Sequence, residues 1–202
     1  FSLDCEIRTP LPGNPAIGVP TPGAANSVYA GNAPPNIRQV DHSPSQPGAG
    51  EEVVISAKVS DPDGVESVVL RYQLVEPGAY IHKEDSTYER NWVPLTMVDD
   101  GTGGDVAAGD AVYTVTMPPG LQVHRRLIRY RITVEDSLGN AQQTPFEDDE
   151  SPNFAYFCYN GVPNWRGSKR PGVLPTSAYP AAALESVAVY HLITKESDVI
   201  LC

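Results

Sequence analysis

Apolar and polar residues take turns along the middle of this chain. Val53, Ile55, Ala57 and Val59 alternate with Val54, Ser56 and Lys58, a repeat of two that sends alternate side chains to opposite faces of a strand. Val68, Leu70, Tyr72 and Leu74 repeat it against Val69, Arg71 and Gln73. The clearest case is Ile128, Tyr130, Ile132 and Val134 against Arg129, Arg131, Thr133 and Glu135. The even-numbered set of that tract is expected on a dry face and the odd-numbered set in water. Further strands are predicted over 36–41, near 92–98, over 111–117 and over 153–159, with an irregular excursion through 76–90.

Turn chemistry separates these segments. Asp61-Pro62-Asp63-Gly64 combines a residue of fixed φ with one that accepts positive φ, and Asp136-Ser137-Leu138-Gly139-Asn140 turns the chain again. A Gly/Asp-rich loop runs from Asp99 to Asp110. Short strands with one apolar face each must form two facing sheets, because a single sheet cannot bury its own face. The expected fold is therefore all-β, an antiparallel sandwich over 34–160, with a small barrel as the competing architecture.

Both flanks lose the alternation. Residues 1–33 carry Pro10, Pro12, Pro15, Pro20 and Pro22, and each proline removes a backbone donor that a helix or central strand needs. Residues 161–202 begin with loop residues such as Pro163, Pro171, Gly172 and Pro175. One more strand is predicted at 187–193, and Lys195-Glu196-Ser197-Asp198 starts a helical pattern. Both flanks are read as extended segments, the second including the start of a following domain.

Composition narrows the function classes. Hydrophobic residues make up 41% of the 202-residue chain, enough to bury a core. Fourteen Lys and Arg against 25 Asp and Glu give a formal charge of −11, which repels a phosphate backbone and argues against nucleic acid as a partner. No run reaches the roughly 18 apolar residues of a membrane span. The chain opens on Phe1 with no apolar signal stretch, so it reads as a processed or excised piece. Three cysteines, Cys5, Cys158 and Cys202, lack metal-ligand spacing and permit at most one internal disulfide; pairing of Cys158 with Cys202 is one option.

Candidate chemistry concentrates in loops. If strands run alternately up and down, Asp61 and Asp63, the loop holding Asp99, Asp100, Asp105 and Asp110, and Asp136 emerge at one pole. Such a group offers oxygens of the kind calcium takes, six to eight at a time. The plainer reading is that each aspartate bonds its own backbone two residues on. Tyr80 and Tyr88, in the excursion, are candidates for an aromatic platform under a sugar ring, whereas Trp92 falls in a predicted strand. Glu147-Asp148-Asp149-Glu150 reads as a solvated loop. His42, His82, His124 and His191 lack metal-site spacing. No phosphate loop or nucleophile elbow occurs, no catalytic residue is singled out, and no cofactor is implied beyond calcium at the acidic loops.

Several tracts resemble a known family. Pro34-Pro35-Asn36-Ile37, Asp61-Pro62-Asp63-Gly64, Asp99-Asp100-Gly101 and Gly109-Asp110-Ala111-Val112-Tyr113-Thr114 look like the immunoglobulin/fibronectin-III-like modules of bacterial secreted proteins. Arg126-Leu127-Ile128-Arg129-Tyr130-Arg131-Ile132, Pro152-Asn153-Phe154-Ala155-Tyr156-Phe157, Gly161-Val162-Pro163-Asn164-Trp165 and Val189-Tyr190-His191-Leu192-Ile193 resemble the region just before the kinase-like domain of exported CotH-family proteins. Pro20-Thr21-Pro22-Gly23-Ala24-Ala25-Asn26-Ser27 resembles the close of a lamin-tail domain. The resemblance implies an exported, extracellular or envelope-associated parent with lamin-tail, Ig-like and CotH kinase-like domains in that order.

Three functional expectations follow. The first is a non-catalytic structural or interaction module that spaces or presents neighbouring domains of the same chain. The second is a carbohydrate- or surface-binding module whose partner is a glycan or an envelope protein. The third is the accessory domain of an exported CotH-type kinase; a phosphoryl-transfer site needs phosphate-cradling groups, a lysine and metal-holding acids, and no such constellation occurs in this stretch.

Overall fold

The computed structural model describes residues 33–200, and from Pro34 onward the chain is one compact unit. Expectations for the lead-in, Cys5 and Cys202 lie outside the described residues. Eight strands build the body: β1 (Asn36–Ser43), β2 (Val53–Ser60), β3 (Val65–Val75), β4 (Val93–Thr96), β5 (Val112–Met117), β6 (Leu127–Asp136), β7 (Ala141–Thr144) and β8 (Phe154–Phe157). They form an all-β antiparallel sandwich. One sheet has three strands in the order β1-β2-β5; the other has five, β4-β3-β6-β7, with β8 also on β6. β8 pairs with residues 127–130 of β6 and β7 with 132–135, so the two share one edge of that strand.

The alternation does what it predicted on the inner faces. Val53, Ile55 and Ala57 from β2 meet Val68 and Leu70 from β3 and Ile128, Tyr130, Ile132 and Val134 from β6, with Met97, Met117, Tyr156 and Cys158 filling between them. Full burial of each large aliphatic side chain contributes roughly 1.5–3 kcal/mol. The chain changes sheets after β4. The Met97 N–H donates to the Val68 carbonyl at 2.9 Å, while Val98 exchanges both backbone bonds with Thr114, at 2.9 and 2.8 Å.

The outer faces depart from expectation. Arg129, expected in water, is 4% exposed, and Gln73, its partner across the β3–β6 ladder, is fully buried. The reason is the excursion of residues 76–92, which folds back over this face. A sheet face carrying cations is cheap to cover when rings and carbonyls replace water, and the excursion supplies Tyr80, Tyr88, Trp92 and the Ile81 carbonyl. The three-stranded sheet is covered in the same way by the 99–110 loop. Gly104, at φ +99°, sits so close to Val54 that a Cβ there would be 2.8 Å from a Val54 methyl, a place only glycine fills.

The C-terminal flank also differs. Residues 187–193 form no strand, since no ladder partner reaches them; Val187, Val189, Tyr190, Leu192 and Ile193 are exposed. Two short strands instead pair nearby, β9 (Trp165–Gly167) with β10 (Ser177–Tyr179), followed by one-turn helices α1 (Ala181–Leu184) and α2 (Glu196–Ile200). The expected helical start at 195–198 is thus present. Among the described residues, no helix is long and apolar enough to cross a membrane.

Candidate functional site

Three arginines along β6 and its approach point outward and meet different surroundings. Arg126 pairs with Glu76 at 2.7 Å and Arg131 with Glu89 at 3.2 Å. Arg131 lies directly across the ladder from Arg71, a like-charge contact that destabilises a sheet; Glu89 and the Trp92 ring, 4.3 Å from the guanidinium, offset it. Arg129 differs from both. Its Nη1 donates to the Ile81 carbonyl at 2.8 Å and to Gln73 Oε1 at 3.3 Å, and it has no ion pair with a described residue. Its guanidinium carbon stands 4.7 Å from the Tyr80 ring centre and 5.6 Å from that of Tyr88.

The two tyrosines proposed as a platform therefore do not lie side by side in the open. Tyr88 is 3% exposed. Its hydroxyl donates to Asn153 Oδ1 at 2.7 Å, its carbonyl accepts from Gln73 Nε2 at 2.9 Å, and its ring meets Trp92 edge-on at 5.7 Å. Burial raises the phenol above its ordinary range, against a smaller lowering by Arg129. Tyr80 is half-buried, edge-on to His82 at 4.9 Å. Both rings, with Arg129, line a cleft of about 540 Å³ between the excursion and the start of β8. Trp92 lies just ahead of β4 on the outer face over Arg131, outside the strand predicted for it.

The acidic candidates split into two groups. Asp99, Asp105 and Asp110 converge, with one oxygen of each within 4.8 Å of the others. Asp99 takes three backbone N–H groups, from Gly109, Asp110 and Ala111, at 2.7, 3.2 and 2.9 Å. Asp105 accepts from Gly101 at 2.6 Å and Ala107 at 3.3 Å, and Asp110 from Val112 at 2.9 Å. Asp100 instead bonds Thr102, through both N–H and hydroxyl. Asp61 accepts from the Asp63 N–H at 2.8 Å, the local turn bond that aspartate favours. Asp61 and Asp63 are not in the converging group; Gly64 of their turn accepts from the Ser137 N–H at 3.0 Å, which puts that turn beside the Asp136 turn. Chemically, the triad closes the 99–110 loop and offers three anionic oxygens to a cation, with the rest of a calcium shell left to carbonyls and water.

Histidines far apart in sequence meet aromatic partners. His124 stacks on Tyr159 at 5.5 Å and His191 meets the same ring at 4.4 Å and Phe157 at 4.8 Å. His82 is 3.9 Å from Asp198. Cys158 is a free, fully buried thiol, raised above its ordinary range by burial. The residues that sequence reasoning missed are Arg129, Gln73 and Asn153. Their sole signal was position: a cation and an amide on the outer face, beside an excursion long enough to cover them. The chain matches no protein-family model, and a search of curated proteins finds no match.

Proposed function

We propose that this chain is a non-catalytic structural and interaction module of a multi-domain exported bacterial protein, spacing or presenting the domains beside it. The three-plus-five strand arrangement supports an immunoglobulin/fibronectin-III-like assignment. The observation that carries the proposal is how the C-terminal segment is fastened. The Glu196 N–H donates to the Gly78 carbonyl at 2.8 Å, Lys195 pairs with Asp85 at 3.0 Å, and Ala79 bridges to Lys195. These contacts tie the segment to the excursion, which is itself pinned to the sheet through Arg129 and Arg131. A domain continuing from this segment would be held at a set orientation instead of swinging on a tether.

The test is rotational. A fluorescent protein joined after residue 202 should tumble with the module as one body in time-resolved anisotropy, and paired substitution of Lys195→Ala and Asp85→Ala should introduce a fast component. Independent tumbling in the unaltered fusion would refute the reading. A second reading, a carbohydrate- or surface-binding module, is favoured by one observation: the cleft that holds Tyr80 and Arg129 together.

A further inference from the structure

Burying a guanidinium without a counter-charge costs free energy, so buried charges in proteins are almost always paired. Arg129 is more than nine-tenths buried and forms no ion pair with a described residue. Two neutral oxygens hold Nη1, and tyrosine rings sit near the guanidinium. Cation–π contact returns part of the lost hydration, yet Nε and Nη2 donate to no described residue. A guanidinium carries five N–H donors in a flat fork that matches a carboxylate. The cleft it lines also presents His82, Lys83, Glu84, Glu150 and Asn153.

We propose that this cleft binds a carboxylate-bearing saccharide, a uronic acid unit, whose carboxylate pairs with the free edge of Arg129. The inference rests on the second reading above and specifies its ligand. Three features choose this chemistry. The volume, about 540 Å³, suits a small ligand. Lys83 and Arg129 line the same cleft as Glu84 and Glu150, two cations with two anions, a balanced set that suits a single anionic charge better than a phosphate dianion. The two glutamates and Asn153 offer acceptors and a donor for ring hydroxyls, and Tyr80, at the margin, offers apolar surface to a sugar face. The excursion that buries Arg129 is thus also one wall of its site.

The test compares acid with ester. The full chain is titrated calorimetrically with galacturonate, glucuronate and mannuronate oligomers, each against its methyl ester and a neutral oligosaccharide of the same length. At least one acid should bind, its ester roughly 10- to 100-fold more weakly, as expected from loss of a charge-assisted pair, and added salt should weaken the acid alone. Arg129→Gln should bring the acid down to the ester's affinity. Should that variant fail to fold, the acid-to-ester ratio on the natural chain still decides. Equal binding of acid and ester would overturn the carboxylate assignment while leaving a saccharide site in place. Silence from every saccharide would remove both.

Discussion

The Tyr130 hydroxyl lies 3.0 Å from Nδ1 of His42, joining β6 of the five-stranded sheet to β1 of the other. His42 Nε2 donates to the Ser45 carbonyl at 3.3 Å, which leaves Nδ1 to accept from the phenol. One polar contact thus joins the two sheets, beside the buried pair of Gln122 and the Tyr156 hydroxyl at 2.9 Å. Tyr130→Phe removes the bond and keeps the ring, so chemical denaturation should show a loss of about 1 kcal/mol, with no change in the denaturant slope.

The same phenol makes the fold sensitive to alkali. Burial raises Tyr130 and Tyr156 well above the ordinary tyrosine value. A folded value above the unfolded one means that stability is intact below the unfolded value, about 10, and falls as pH rises beyond it. Phenolate absorbance should therefore rise cooperatively with unfolding at high pH. Gradual ionisation of all tyrosines in a still-folded protein would contradict the burial.

Gly104 should resist replacement. Alanine there meets Val54 at 2.8 Å and must hold φ +99°, a combination expected to cost about 1–3 kcal/mol. A Val54→Ala change in the same background should recover part of that loss, which separates the steric share from the backbone share in a double-mutant cycle.

Asp99 closes its loop with three backbone bonds, and its neighbours in the triad carry like charge. Asp99→Ala leaves those donors unmet and should lower the melting temperature by several degrees. Millimolar calcium should raise the melting temperature of the natural chain and leave that of Asp99→Ala unmoved. An unchanged melt in calcium would assign the triad to loop closure alone.

Cys158 should be inert in the native protein. Its thiol is fully buried and held above the ordinary range, so little reactive thiolate is present at neutral pH. Iodoacetamide followed by peptide mapping should leave Cys158 unmodified in buffer and modify it in denaturant. Rapid native labelling at this position would place the sulfur outside the core.

The inner faces were legible because burial there follows the backbone's own period of two: Ile55, Leu70 and Ile132 could be assigned from spacing alone. β7 was not, since Ala141-Gln142-Gln143-Thr144 has no apolar set to alternate. Residues 187–193 misled for the opposite reason. An apolar run has the composition of a strand, but a strand also needs a neighbour with a free edge, and sequence does not carry that. The acidic loop showed which aspartates were available; only its folding over Val54 selected Asp99, Asp105 and Asp110 from its four. Arg129 was hidden because what covers it is irregular chain, whose path no periodicity records.

Between Met97 and Val98 the chain spends successive peptide groups on opposite sheets. The seam between the layers is therefore closed by covalent chain as well as by side chains meeting across a gap. Prying the layers apart at that margin breaks ladder bonds on at least one side, so opening there cannot proceed as a gentle slide. A load applied along the polypeptide would meet this stitch as a catch, and the body should give way in one abrupt step instead of peeling sheet from sheet.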